Sequence, residues 1–257
     1  MADRQNEIWL AGVDGCPGGW IVAFARADGE VALPRVLAHF ADIVVAPERP
    51  AIIAVDVPIG LPQQSPAKGR PAESAVRPLL GGRKSSVFRI PSRSAVYASV
   101  ATEPANARER FFHACAIARA TSDDGKAFAK QGFYILDKVV EVDTLLRDDA
   151  ALALRVFETH PELAFYRMNG ERPLDEPKKV KSSVHAPGLA LRRGLLEAAG
   201  IPRTRLEARP PKGAADDDMI DAFACLITAR HIHAKRARSY PDDPPRDEFG
   251  LPMAIWA

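Results

Sequence analysis

The stretch GVDGCPGGW, residues 12–20, follows directly on the apolar run Ile8-Trp9-Leu10-Ala11. A hydrophobic strand therefore ends on an acid, turns through Cys16-Pro17-Gly18-Gly19 and restarts at Trp20. A carboxylate at the tip of a buried strand is costly unless it is hydrogen-bonded or holds a cation. Asp14 is thus either a turn residue capping its own loop or one arm of a site. Working outward, Trp20 to Phe24 reads as the return strand. ADGE, residues 27–30, carries the Asp-Gly pair of a tight hairpin turn, and Val31-Ala32-Leu33 is expected to complete a three-strand meander. A helix is expected over about 36–45, ended by Pro47 and Pro50. The run AIIAVDVPIGLP, residues 51–62, is continuously apolar, as a strand buried on both faces is. It too ends on an acid, Asp56.

From residue 63 to about 150 the signals turn helical. PAESAVRPLLGG, residues 71–82, opens with Pro71 and closes on Gly81-Gly82, with Pro78 weakening its last turn. A basic loop, RKSSVFRIPSR at 83–93, precedes helices expected at about 104–120 and 133–147. The second places Ile135, Val139, Val142 and Leu146 on one face. Leu154 to Phe157 reads as a strand ending on Glu158, and Pro161 restarts a helix. A second basic loop, EPKKVKSS at 176–183, leads to a helix over Leu189 to Ala199 and then to the strong C-terminal helix AADDDMIDAFACLITARHI, residues 214–232. GLPMAIW, residues 250–256, suits a short returning strand; Phe111-Phe112 and Phe165-Tyr166 suit the core.

The bulk numbers set limits. A chain of 257 residues, 47% hydrophobic and 26% charged, is ordinary globular material, long enough for one domain with a mostly helical insertion at about 63–150. A net charge of +2 means that any affinity for phosphate must come from local patches, and it disfavours avid duplex binding. No apolar run nears the roughly 20 residues of a membrane span, and MADRQNE lacks the apolar segment of a signal peptide. Cys16, Cys115 and Cys225 are widely spaced with no CxxC pair, as reduced thiols are. A cytoplasmic protein without a membrane partner is expected, and several helices offer a surface for a homo-oligomer.

The acids carry the chemistry. Asp14, Asp56 and Glu158 each end an expected strand, while Asp217, Asp218 and Asp221 share faces of the last helix. Groups at the carboxyl ends of neighbouring strands converge on one crevice. Several carboxylates there repel one another unless hard cations such as Mg²⁺ or Mn²⁺ fill the gap. Two such ions roughly 4 Å apart activate a water and stabilise the leaving oxygen of a phosphodiester. Asp14, Asp56, Glu158, Asp218 and Asp221 are the candidate catalytic set, and Asp14, Asp56, Asp217, Asp218 and Asp221 the candidate metal ligands. Plainer readings exist: Glu158 can pair with Arg155 or His160, and acids in a first turn suit the helix dipole. Asp221 is harder to dismiss, lying among Ile220, Ala222 and Phe223. Arg83, Lys84, Ser85, Ser86 and Arg89, with Lys178 and Lys179, are candidate substrate contacts, because Arg and Lys bind phosphate, or else ordinary solvated loops. His160 is a candidate for proton transfer near Glu158.

This pattern resembles the RNase H-like superfamily, and the chain resembles one branch of it, the domain-of-unknown-function family 429 of predicted RNase H-like nucleases. The stretches that carry the resemblance are GVDGCPGGW, VDVPIGLP, GGRKSSVFRIPSR, LDKVVEVDTLL, ETHPELAFYRMNG, PKKVKS and DDDMIDAFACLITAR. Where the family has a Cys-Asp pair before its Arg-rich loop, this chain reads Ala72-Glu73. The resemblance implies an α/β fold with a mixed five-stranded sheet of order 3-2-1-4-5, flanked by helices and carrying a helical insertion between strands 4 and 5. It matches Asp14 to the first-strand acid, Asp56 to the fourth-strand acid, and Asp217, Asp218 or Asp221 to the acid of the final helix. The expected function is a metal-dependent nuclease. The alternatives are an actin-like nucleotide-binding phosphotransferase, with DGCPGGW as its phosphate hairpin, and a non-catalytic binding module on the same fold.

Overall fold

A computed structural model describes residues 8–181 and 183–257; the opening heptapeptide MADRQNE and Ser182 of the second basic loop lie outside the described residues. Five strands form the main sheet: β1 (Trp9–Cys16), β2 (Gly19–Arg26), β3 (Arg35–Leu37), β4 (Ile52–Val55) and β5 (Val156–Glu158). Their order is β3-β2-β1-β4-β5, as expected. β1, β2 and β3 pair antiparallel, whereas β4 lies parallel to β1 and β5 parallel to β4. The register sets Val13 beside Val55 and Val55 beside Glu158. Asp14 and Asp56 therefore follow at the same level, and the Asp56 amide donates to the Val13 carbonyl at 3.0 Å.

Helices cover both faces. α1 (Phe40–Val44) precedes β4, and the insertion between β4 and β5 holds α2 (Pro71–Val76), a 3₁₀ stretch (Arg77–Ser86), α3 (Arg93–Ser99), α4 (Ala107–Ala120), α5 (Lys130–Phe133), α6 (Leu136–Asp148) and α7 (Ala150–Ala153). After β5 come α8 (Pro161–Met168), a small ribbon of β6 (Lys179–Val180) and β7 (Ser183–Val184), α9 (Ala186–Ala198), α10 (Arg203–Leu206) and α11 (Asp216–His233). β8 (Ser239–Tyr240) pairs with β9 (Ile255–Trp256), so the C-terminal run does return as a strand.

Alternation along the strands sorts residues between two cores. Val13, Trp20, Val22 and Val55 pack with Val96, Val139 and Val142 of the insertion. Leu10, Ile21, Ala23 and Ala54 pack with Phe165, Leu196 and the buried length of α11. α11 is buried from Met219 through Ala229, which explains why its sequence has no polar stripe. It lies against Gly12 of β1, where a Cβ would come within 2.0 Å of the Leu226 amide nitrogen and 2.3 Å of the Ala222 carbonyl. Only a residue without a side chain lets backbone meet backbone there.

Several expected boundaries move. The third strand is Arg35–Leu37, not Val31 to Leu33: Val31 makes a single bridge to Ala25, and Pro34 offers no amide to carry the ladder on. The following helix accordingly starts at Phe40 rather than near 36. The 71–82 segment is α2 and then 3₁₀, because Pro78 breaks the α pattern. Phe112, expected in the core, is 55% exposed, while Phe111 packs on Phe128 and Phe133. Among the described residues no helix is long and apolar enough to cross a membrane.

Candidate active site

The β1–β4 pairing ends at Val13 and Val55, so Asp14 and Asp56 follow it on neighbouring parallel strands at one end of the sheet. Both line a cavity of about 500 Å³ together with Gly15, Cys16, Glu158 and His160. The insertion walls it with Ser86, Val87 and Phe88 on one segment and Tyr134, Ile135 and Lys138 on another. Asp14 Oδ1 accepts from the Gly15 amide at 2.8 Å, so the local turn role is realised as well. Gly15 leaves room for Lys138, whose Cδ would lie 2.7 Å from a Cβ there. The Lys138 ammonium donates to the Gly19 carbonyl at 2.7 Å and lies over the Trp20 ring. Gly19 takes a φ of +120° and would otherwise clash with the Leu37 carbonyl. The Gly18 amide donates to the Gly213 carbonyl at 2.8 Å, so that amide of the hairpin is not available to a phosphate.

A third acid lies behind this pair. Asp221, one turn inside α11, is buried and ion-paired with Lys178. Its Oδ1 is buried with no partner. Burial raises the Asp14 carboxyl well above its ordinary range, and the charges of Asp221 and Asp56 push it further. Burial likewise raises Asp56, against the pull of His160 and Lys178, and pushes Asp221 up to about 7. Burial works against the Lys178 ammonium, but Asp221 and Glu162 outweigh it and hold its pKa above the usual lysine value. Asp217 is paired with Lys179 at 2.6 Å. Asp218 caps the helix, accepting from the Ala215 amide at 2.8 Å, and burial raises its pKa.

With the sheet order and these three acids in view, one comparison bears on the chain: a family described as a protein of unknown function (DUF429) matches residues 12–246. The chain belongs to the DUF429 family. The match spans Asp14, Asp56, Asp221 and both insertion walls of the cavity. No curated protein and no solved structure matches the chain.

Glu158 serves a different arrangement in this DUF429 chain. Its Oε1 accepts from Arg70 Nη2 at 2.6 Å, and its Oε2 accepts from Arg70 Nη1 at 3.1 Å and from the Ile59 amide at 2.7 Å. Arg70 is completely buried and also pairs with Glu73 at 2.6 Å. Burial pushes the Glu158 carboxyl up to about 7, although Arg70 pulls it down. Arg70 and Glu73 line the cavity; in the sequence Glu73 stood out only as a departure from the family's Cys-Asp pair, and Arg70 not at all. Their three-residue spacing across the start of a Pro-led helix was the available signal.

The basic candidates are mostly engaged. Arg89 pairs with Asp124 at 2.8 Å and reaches Ser65. Arg93 spans Asp143 at 2.5 Å and Asp247 at 2.6 Å. Arg83, Lys84 and Ser85 stand outside the cavity lining, whereas Ser86 lies on it, with its hydroxyl bound to the Arg83 carbonyl at 2.8 Å. Lys178 and Lys179 face the acids of α11. His160 lines the cavity with Nε2 3.4 Å from the Ser86 carbonyl, and its Nδ1 is buried without a partner.

The donors fit one hard ion rather than a closed cage. Among the described residues no three His, Cys, Asp or Glu side chains are arranged to hold a metal by themselves. Mg²⁺, however, is commonly held by one or two carboxylates with water and substrate oxygens completing the shell. Asp14 and Asp56 supply such a pair on the cavity wall, while Asp221, bound to Lys178 through Oδ2, keeps its buried Oδ1 without a partner.

Proposed function

We propose that this DUF429 chain is a divalent-metal-dependent phosphodiesterase of RNase H-like type, acting on a nucleic acid or nucleotide. One observation carries the reading: Asp14 and Asp56 stand on adjacent parallel strands and line one cavity, with Asp221 of α11, paired with Lys178, close enough to raise the Asp14 carboxyl. One Mg²⁺ or Mn²⁺ would relieve the mutual repulsion of these acids. Asp14 and Asp56 would hold the ion, which when bound supplies Lewis acidity and a lowered pKa for its water.

The chain's own groups have distinct tasks in this reading. Asp14 and Asp56 are fixed by the β1–β4 register, so their spacing costs no reorganisation during the reaction. Lys178 holds Asp221 in place and favours its charged form against burial. His160, whose charge pulls on Asp56 and whose Nδ1 lacks a partner, is placed to hold or pass a proton at that atom. Arg70 and Glu158 brace each other in the cavity lining. The three free, buried thiols support a reducing compartment such as the cytoplasm.

The test is cleavage in Mn²⁺ or Mg²⁺ of single-stranded and duplex DNA, RNA, RNA–DNA hybrid, a four-way junction and dinucleotides, with Asp14→Asn and Asp56→Asn beside the native protein. Metal-dependent cleavage lost in both variants supports the reading. Identical behaviour of native protein and variants on every substrate overturns it.

A further inference from the structure

We infer that the cavity takes a single nucleotide unit with its base, as a free nucleotide or the end of a dinucleotide, and not a length of duplex. The inference rests on the phosphodiesterase reading for its chemistry, but on different observations for its ligand.

Size is the first. About 500 Å³ falls in the range of small-molecule sites, and the insertion walls it from two segments. A duplex instead needs an open surface that meets several phosphates along each strand.

Charge is the second. Most of the side chains that could track a nucleic-acid backbone are already bound within the protein: Arg89 to Asp124, Arg93 to Asp143 and Asp247, Lys178 to Asp221 and Lys179 to Asp217. Arg83 and Lys84 make no ion pair among the described residues, but they stand outside the cavity lining. Of the cations on the cavity wall, Arg70 is held by Glu73 and Glu158, and the Lys138 ammonium by the Gly19 carbonyl. A phosphate entering here meets the Asp14–Asp56 pair and its ion, which suits one phosphate group and not a row of them.

Aromatic surface is the third. Tyr134 lines the cavity yet is 65% exposed, with its ring supported edge-on by Phe133, which in turn packs on Phe111. Phe88, half-buried, lines the same cavity from the other insertion segment. A largely exposed ring braced by an aromatic neighbour offers a platform for a base, and base–aromatic stacking tolerates any sequence. Phosphate chemistry alone would not require it.

The test uses calorimetry in Mn²⁺ with nucleoside monophosphates, a dinucleotide and inorganic phosphate, alongside cleavage of the dinucleotide and of a long duplex. Tyr134→Ala, Phe88→Ala and Tyr134→Phe are compared with the native protein. The inference expects nucleotides to bind more tightly than inorganic phosphate, and the dinucleotide to be preferred over duplex in kcat/KM. Each alanine variant should raise the nucleotide Kd at least about fivefold, with Tyr134→Phe restoring it. A duplex preferred over the dinucleotide overturns the inference, as do equal affinities for nucleotide and inorganic phosphate, or a Kd unmoved in both alanine variants. Nucleotide binding that depends on Tyr134 without any cleavage upholds the ligand class and removes the hydrolytic reading instead.

Discussion

The Lys178 ammonium is ion-paired with Asp221, a carboxylate buried on the face of α11 that packs beneath β1. The pair joins a short loop ahead of β6 to the most deeply buried helix in the molecule. Its positive charge also pulls down the carboxyls of Asp14, Asp56 and Asp221.

Removing that charge should unmask the repulsion among these acids. Lys178→Met should cost about 3–5 kcal/mol of metal-free stability near pH 8, since it strands a buried carboxylate. The same variant should gain more in Tm on adding Mn²⁺ than the native protein does. Thermal melts with and without Mn²⁺ check both; equal gains would show that Lys178 and the ion do not answer the same charge.

Asp14→Asn and Asp56→Asn should move stability and activity in opposite directions. Each removes a carboxylate raised by burial and by its neighbours, so metal-free Tm should rise. Metal-dependent cleavage should fall by more than the ~10–100-fold typical of losing an outer-shell partner. Melting curves and initial rates on the same preparations read the two effects together.

Gly12→Ala should damage the site from a distance. Its Cβ would meet the backbone of Leu226 and Ala222, neither of which can turn away. A loss of about 3 kcal/mol or more is expected, with Mn²⁺ affinity falling as α11 carries Asp221 outward. Urea denaturation and Mn²⁺ titration test this pair of outcomes.

Glu158 makes stability depend on pH. Its carboxyl is raised from an ordinary 4.5 to about 7, so the folded state holds this proton more tightly than the unfolded chain. The stability it contributes is full below about pH 4.5 and is lost as pH rises to about 7. Glu158→Gln should flatten that slope, by up to about 1.4 kcal/mol per pH unit. Arg70→Met should instead cost about 3–5 kcal/mol, because it strands Glu158 and Glu73 together.

The strand-end acids were legible in the sequence because a continuous apolar run makes a terminal carboxylate conspicuous. Asp221 was legible for the same reason in a helix, as an acid among Ile220, Ala222 and Phe223. β3 was not, since three residues after a proline carry no periodicity. The two basic loops read as phosphate contacts because sequence gives charge but not partner. Lys178 meets Asp221 from 43 residues away, and Arg70 meets Glu158 from 88. Such long-range pairing depends on the sheet register, which sets the strand ends side by side only after folding. The exposure of Tyr134 was equally hidden, because an aromatic at the start of an expected helix does not show which of its sides is uncovered.

The missing side chain at Gly12 divides the site into unequal halves. With helix and sheet in backbone contact there, the acids of β1, β4 and α11 form one rigid unit, and moving any of them means unpacking the interior. The lysines that answer them lead into a ribbon of two-residue strands whose residues are all exposed, a structure with little stability of its own. Negative charge in this protein is therefore part of the skeleton, and the positive charge that answers it arrives on a short connecting segment.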